Sequence, residues 1–80
     1  MEKSIVHEQV VTKIAAQFKK NPDEIRDEDH LAKTYGAKSI DLIQLAASIQ
    51  AATGVKIGYA QTRKVNTVGE WVDLVASLVK

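Results

Sequence analysis

The chain has 80 residues, of which 45% are hydrophobic and 26% charged, and its formal net charge is +1 at pH 7. This length accommodates one domain with one core, and the hydrophobic share is too high for a disordered chain. Because there is no cysteine, the chain can form no disulfide framework, thiolate metal site or thiol nucleophile, and its scattered Lys and Arg residues argue against nucleic-acid binding.

An amphipathic pattern between Ile5 and Phe18 predicts the first helix. Apolar side chains recur there every four positions, with polar residues between them. These apolar positions are Val6, Val10, Ile14 and Phe18. The pair Asn21-Pro22 predicts the end of this helix near Lys20, because the proline ring disfavours helical geometry at the preceding residue and removes a backbone donor.

A long polar connection follows, from Pro22 to Lys38, and Gly36 closes it. Connections longer than about 12 to 15 residues are uncommon unless they serve a function, so this length is itself informative. We expect the few apolar side chains of the connection to enter the core and hold it down. These are Ile25, Leu31, Ala32 and Tyr35.

The second predicted helix runs from about Ser39 to Thr53 and ends at Gly54, since glycine is common just after a helix. Its apolar face is formed by Leu42, Leu45, Ala46 and Ile49. Farther along, the stretch from Tyr59 to Lys64 has room for a short third helix.

The last predicted helix begins at Thr67, because Thr67 and Glu70 have the spacing of a capping box. One face of this helix is apolar, and Trp71 on that face is predicted to anchor the core. The apolar positions are Val68, Trp71, Val72, Val75 and Leu78. No segment alternates with period two for long enough to form a strand, so the predicted class is all-α, with one domain spanning residues 1–80.

Ser39 is the candidate functional residue, because it opens a helix directly after a glycine-closed loop. A hydroxyl at that place is exposed and lies against the positive end of the helix dipole, where an attached phosphate is stabilised. The alternative is that Ser39 only caps the helix, a role for which serine is among the preferred residues.

Three segments of the chain have the sequence pattern and the order along the chain that are typical of a known family. Gly36-Ala37-Lys38-Ser39-Ile40-Asp41-Leu42 surrounds the serine, Gly54-Val55-Lys56-Ile57 follows the second helix, and Thr67-Val68-Gly69 opens the last one. With an amphipathic helix before a long loop, this arrangement resembles the acyl carrier protein family over nearly the whole chain. The resemblance implies a four-helix bundle of acyl-carrier type, with a long loop between the first two helices and a short third helix.

The resemblance also implies a function. A phosphopantetheinyl transferase would use coenzyme A to attach 4'-phosphopantetheine to Ser39, and the thiol of that arm would hold an acyl group as a thioester. The chain itself is then a carrier and not an enzyme, and its partners are the transferase and the acyl-transferring and condensing enzymes. In this family the acyl chain can withdraw between the helices, so Leu45, Ile49 and Val72 are candidate cavity residues, with plain core packing as the alternative for each.

The chain departs from the family in its charges. Many members are strongly acidic and offer carboxylates of the second helix to basic patches on partner enzymes. Here Lys38 stands where the family usually has Asp, Gln44 and Gln50 stand where Glu is common, and Asp41 is the remaining carboxylate near the serine. The loss of attraction between opposite charges weakens binding to basic enzyme faces, so we expect dedicated partners.

Two hypotheses concern recognition. The first is that Ile40, Ile43 and Ala47 form an apolar contact patch beside Gln44 and Ser48, with packing beneath the long connection as the alternative. The second is that Lys38 pairs with the phosphodiester once the arm is attached, the alternative being an exposed lysine without consequence.

The pathway and the class of function remain open at the sequence level. The leading interpretation is a carrier for a specialised fatty-acid, polyketide or aryl-polyene-like pathway, and the alternatives are an aminoacyl or peptidyl carrier and a helical interaction module that is never modified. His7 and His30 are too isolated for a metal site, and Arg63 and Lys64 offer at most a minor recognition feature. We expect a cytoplasmic monomer without a membrane span, since the chain starts with charged residues and has no long apolar run.

Overall fold

The computed structural model describes residues 2–79, which form five α-helices, one 3-10 turn and no strand. The helices are α1 (Lys3–Phe18), α2 (Leu31–Tyr35), α3 (Ser39–Thr53), α4 (Tyr59–Thr62) and α5 (Val68–Leu78), and the 3-10 turn is Pro22–Glu24. The all-α class is confirmed, and the four predicted helices are α1, α3, α4 and α5. None of the helices in residues 2–79 combines the length and apolar character that a membrane crossing requires.

The long connection contains more regular structure than the sequence pattern predicted. Its 3-10 turn starts at Pro22. In α2, the Nδ1 atom of His30 accepts a hydrogen bond from the backbone N–H of Lys33 at 3.1 Å and so caps the helix. Gly36 ends α2 in the left-handed conformation, at φ 69°. A helix of five residues is too short to show hydrophobic periodicity, so the sequence pattern did not predict α2.

Three of the four connection residues that were predicted to enter the core do so. Ile25 and Leu31 are buried, and Tyr35 is half-buried, with its ring stacked on Phe18 at a centroid distance of 5.5 Å. The prediction for Ala32 was wrong, because its side chain is exposed. Successive residues of a helix point about 100° apart, so a short helix that turns Leu31 inward turns Ala32 towards solvent.

The core lies where α1 packs against both α3 and α5, and buried apolar side chains of all three helices form one cluster there. Trp71 is fully buried in it, as predicted. The apolar faces of all three long helices contribute fully buried side chains, among them Val6, Val10, Ile14, Leu45, Ile49, Val68 and Val75. Burying these faces removes apolar surface from water, which is the main term that stabilises a domain of this size.

The start of α5 fixes the connection in place. The predicted capping box is present, because the Thr67 hydroxyl accepts from the Glu70 N–H at 3.2 Å and the Glu70 carboxylate accepts from the Thr67 N–H at 3.0 Å. The N–H of Gly69 donates to the carbonyl of Asp27 at 2.8 Å. A β-carbon at position 69 would meet that oxygen at 3.3 Å, so glycine allows this close approach of two backbones.

Candidate functional site around Ser39

Ser39 is the first residue of α3 and its side chain is exposed. Residues 36–38 join α2 to α3, and the left-handed conformation of Gly36 turns the chain between them. Because α3 has 15 residues, its N-terminus presents a well-developed dipole together with unpaired backbone N–H groups. A negatively charged group attached to Ser39 would lie at that positive end.

The capping of α3 does not involve the Ser39 hydroxyl. Lys38 occupies the N-cap position, and the Asp41 carboxylate accepts a hydrogen bond from the Lys38 N–H at 2.9 Å. The alternative interpretation, that Ser39 only caps the helix, was therefore wrong, because the N-cap position is occupied by the preceding residue, Lys38. Its hydroxyl is available for chemistry at no cost to the cap, and the carboxylate of Asp41, predicted to recognise partners, serves the first turn of the helix.

Apart from the half-buried Asp41, the predicted recognition residues are exposed at the start of α3 and along it. Ile40 and Ile43 have 57% and 47% of their surface accessible, so they do not pack beneath the connection. Lys38, Gln44 and Ala47 are exposed as well. The side-chain amide of Gln17 on α1 donates to the side-chain amide oxygen Oε1 of Gln44 at 3.0 Å, which links α1 to α3.

A cleft of about 150 Å³ lies between α3 and α4 and includes two of these recognition residues. It is lined by Ile43, Ala46, Ala47, Gln50, Ile57, Tyr59 and Thr62. Tyr59 is 48% exposed, and the guanidinium carbon of Arg63 lies 5.9 Å from the centre of its ring. Sequence reasoning missed Tyr59, although an aromatic residue that opens a short helix after glycine is a detectable signal.

The three candidate cavity residues lie deeper. Leu45, Ile49 and Val72 are 0%, 1% and 3% exposed, and all belong to the core that also holds Trp71. None of them lines the cleft between α3 and α4. They are close-packed core residues in this structure, and their contact with an acyl chain stays a prediction.

A larger groove of about 370 Å³ lies along α1 at the opposite end of α3. It is lined by Ile5, Glu8, Gln9, Thr12, Lys13 and Ala52. Ala52 is in the last turn of α3, about 20 Å along the helix axis from Ser39 at 1.5 Å per residue. This groove contains none of the predicted site residues and is separate from the site.

The ionisable groups with shifted pKa values lie in the connection and at the start of α5. Burial, followed by the hydrogen bond to Asp29, raises the pKa of Tyr35 to about 12, and the same hydrogen bond lowers the pKa of Asp29. Backbone N–H donors from Asn66 and Thr67 lower the pKa of Glu70. None of the hydrogen bonds of these groups reaches Ser39, so they do not form a catalytic base for its hydroxyl.

The two histidines have structural partners. His7 lies 2.7 Å from an Asp27 carboxylate oxygen, and His30 caps α2. Within residues 2–79 there is no cluster of three His, Asp or Glu side chains that could hold a metal ion. The described part of the chain thus offers an exposed hydroxyl at a helix start, with an apolar surface beside it.

Comparison with known proteins gives a consistent result. A family model described as a phosphopantetheine attachment site matches residues 8–75. The chain is 25% identical over 79 residues to an acyl carrier protein of Saccharopolyspora erythraea, covering 99% of this chain and 83% of that relative. It is 27% identical over 59 residues to an acyl carrier protein of Wolinella succinogenes, covering 74% of this chain and 78% of that relative.

The fold is similar to that of a solved structure, an acyl carrier protein from Enterococcus faecalis. The TM-score is 0.80 at 24% sequence identity, and the alignment covers 98% of this chain and 99% of the other. At this identity the likeness supports the fold. The agreement extends over almost the full length of both chains, including the connection that contains the 3-10 turn and α2.

Proposed function

The chain belongs to the acyl carrier protein family, whose members hold covalently bound 4'-phosphopantetheine, and from this we propose that Ser39 is the attachment residue. Ser39 supports the proposal through its place in the fold. Its side chain is exposed at the first position of α3, and the cap of the helix is made by Asp41. This is the observation that carries the proposal, because the hydroxyl can be modified while the helix keeps its cap.

The residues around Ser39 fit the chemistry of a phosphodiester. The N-terminal end of α3 stabilises negative charge, and the exposed Lys38 ammonium group adds a cation at the neighbouring position. In the attachment step the Ser39 oxygen forms a bond to the pantetheine-bearing phosphorus of coenzyme A. The pyrophosphate P–O bond breaks, 3',5'-ADP leaves, and the hydroxyl proton passes to a base of the transferase.

The bound arm supplies the thiol that a chain without cysteine lacks, and that thiol holds acyl groups as thioesters. The chain contributes the attachment point, the helix end that stabilises the phosphodiester and the surface that partner enzymes contact. We propose as partners a phosphopantetheinyl transferase and the acyl-transferring and condensing enzymes of a specialised fatty-acid or polyketide-type pathway. Few carboxylates lie near Ser39 in the sequence, which weakens binding to basic enzyme faces and so supports a dedicated pathway. The predicted monomeric state and cytoplasmic location stay predictions.

An intact-mass measurement tests the attachment site. The apo protein is incubated with coenzyme A and each of several broad-specificity transferases, and we expect it to gain the mass of one phosphopantetheine group. Ser39→Ala should abolish the gain. Ser4→Ala is the matched control, because Ser4 is also exposed in the first turn of a long helix, and it should be modified like the wild type.

Two results would contradict the proposal. A mass gain that persists in Ser39→Ala would move the attachment site to another residue. The absence of any gain with every transferase would instead favour the unmodified interaction module, the alternative to which the lysine before Ser39 gives some support. An aminoacyl carrier would share the same attachment chemistry, and loading of the holo protein with either cargo distinguishes it.

A further inference from the structure

The carboxylates of this chain are distributed very unevenly. From Leu42 to Gly69 there is no Asp or Glu, whereas the cations Lys56, Arg63 and Lys64 fall in this range. Residues 23–29 alone contain five acidic side chains. Beyond Asp41, α3 contributes no carboxylate, and neither does α4. We call the exposed surface of these two helices the α3–α4 face.

The α3–α4 face also carries most of the exposed large hydrophobic side chains. Within residues 2–79 the exposed large hydrophobic side chains are Ile5, Ile40, Ile43 and Tyr59, and three of these four lie on this face. Ile43 and Tyr59 line the cleft of about 150 Å³ described above. An apolar centre that offers a recess is typical of the middle of a protein–protein interface.

Cations follow α4 directly and precede α3. The guanidinium group of Arg63 is held near the ring of Tyr59, and the exposed Lys64 follows it directly. Lys38 adds an exposed cation at the Ser39 end of α3. The remaining carboxylate of α3, that of Asp41, accepts a hydrogen bond from the backbone at the start of the helix. Arg63 thus places a positive charge beside the cleft, next to the lining residue Tyr59.

We propose that the α3–α4 face docks a partner enzyme whose carrier site is acidic, with an apolar side chain entering the cleft and carboxylates placed opposite Arg63 and Lys64. This inference rests on the proposed carrier function and specifies its partner. Charge complementarity supports it, because opposite charges around an apolar centre raise the association rate and fix the register.

Two synthetic peptides test the charge of the partner. Both are amphipathic helices with the same leucine face, and they differ only in carrying glutamates or lysines beside it. Titrated into the ¹⁵N-labelled apo protein, the glutamate peptide should shift the backbone amide signals of Ile43, Ala47, Tyr59 and Arg63. At low salt we expect it to bind about tenfold more tightly than the lysine peptide, with the difference shrinking as salt screens the charges.

Variants of the α3–α4 face supply the controls. Arg63→Glu combined with Lys64→Glu should reverse the preference between the peptides. Ile43→Asp should weaken binding of both, because it places a charge in the apolar cleft. The matched control is Lys19→Glu combined with Lys20→Glu, an adjacent exposed pair just after α1, which should leave the preference unchanged.

The inference is overturned if the two peptides bind equally, if neither binds, or if the shifted signals lie elsewhere on the molecule. It is also overturned if the same signals shift with protein concentration alone, because the face would then contact a second copy of the chain. The titration uses unmodified protein, so its outcome is independent of the mass test on Ser39. If the chain gains the phosphopantetheine arm but binds both peptides equally, the proposed function stands and the inference of an acidic partner is wrong.

Discussion

Lys38 is the residue that most distinguishes the surroundings of Ser39. It occupies the N-cap of α3, a position where lysine has no acceptor to offer to the free N–H groups and where its charge opposes the positive helix end. This unfavourable residue nevertheless lies beside the proposed attachment site. An ion pair in the modified form would account for it, since a phosphodiester on Ser39 brings a negative charge next to the Lys38 ammonium group.

Lys38→Asp tests this account at the level of one side chain. Aspartate is a preferred capping residue, so we expect the apo variant to be about 1 kcal/mol more stable than the wild type. In the holo form this advantage should shrink by roughly 0.5 kcal/mol, because the new carboxylate lies beside the phosphodiester. Urea unfolding of both forms measures the difference, with Lys56→Asp as a control away from the cap. An advantage of equal size in both forms would show that Lys38 does not pair with the phosphodiester.

The capping box at the start of α5 makes the stability of the fold depend on pH. Backbone N–H donors from Asn66 and Thr67 lower the pKa of Glu70 in the folded state, so its ionised form stabilises the fold. This contribution is complete above the ordinary glutamate pKa of 4.5 and is lost as the pH falls through the lower folded value. Glu70→Gln should therefore be less stable than the wild type at pH 7 and converge with it in acid. Urea midpoints across this pH range measure the effect, Glu8→Gln is the control, and a constant gap at every pH would contradict the assignment.

The same element shows which features a sequence can predict. The capping box of Thr67 and Glu70 was predicted correctly, because the two residues are three positions apart and threonine and glutamate are the residue types that form this motif. The long apolar faces of α1, α3 and α5 were predicted for a similar reason. The short helix α2 and the exposure of Ala32 were not, because five residues give no periodicity and their orientation depends on contacts with distant parts of the chain. The cleft beside Tyr59 was missed since it forms only when α4 packs against α3.

At the scale of the molecule, the core must serve two purposes if acyl chains withdraw into it. Ile49 is 1% exposed among side chains from the three long helices, and its predicted contact with cargo competes with its role in packing. A protein of this size has a stability of only about 5 to 15 kcal/mol, so a cavity opened for cargo would cost a substantial part of it. The cargo must then replace the contacts that it displaces.

Ile49→Ala separates the two roles. Loss of a buried isoleucine costs about 2 to 5 kcal/mol, whereas Ile40→Ala at an exposed position of the same helix should cost less than about 0.5 kcal/mol. If the cargo enters the core, an octanoyl group on the holo protein will fill the space left by the truncation and stabilise Ile49→Ala more than the wild type. The fluorescence of Trp71, the sole tryptophan and fully buried, reports unfolding of each form in urea. Equal stabilisation of wild type and variant by the octanoyl group would mean that Ile49 only packs the core and that the acyl chain lies elsewhere.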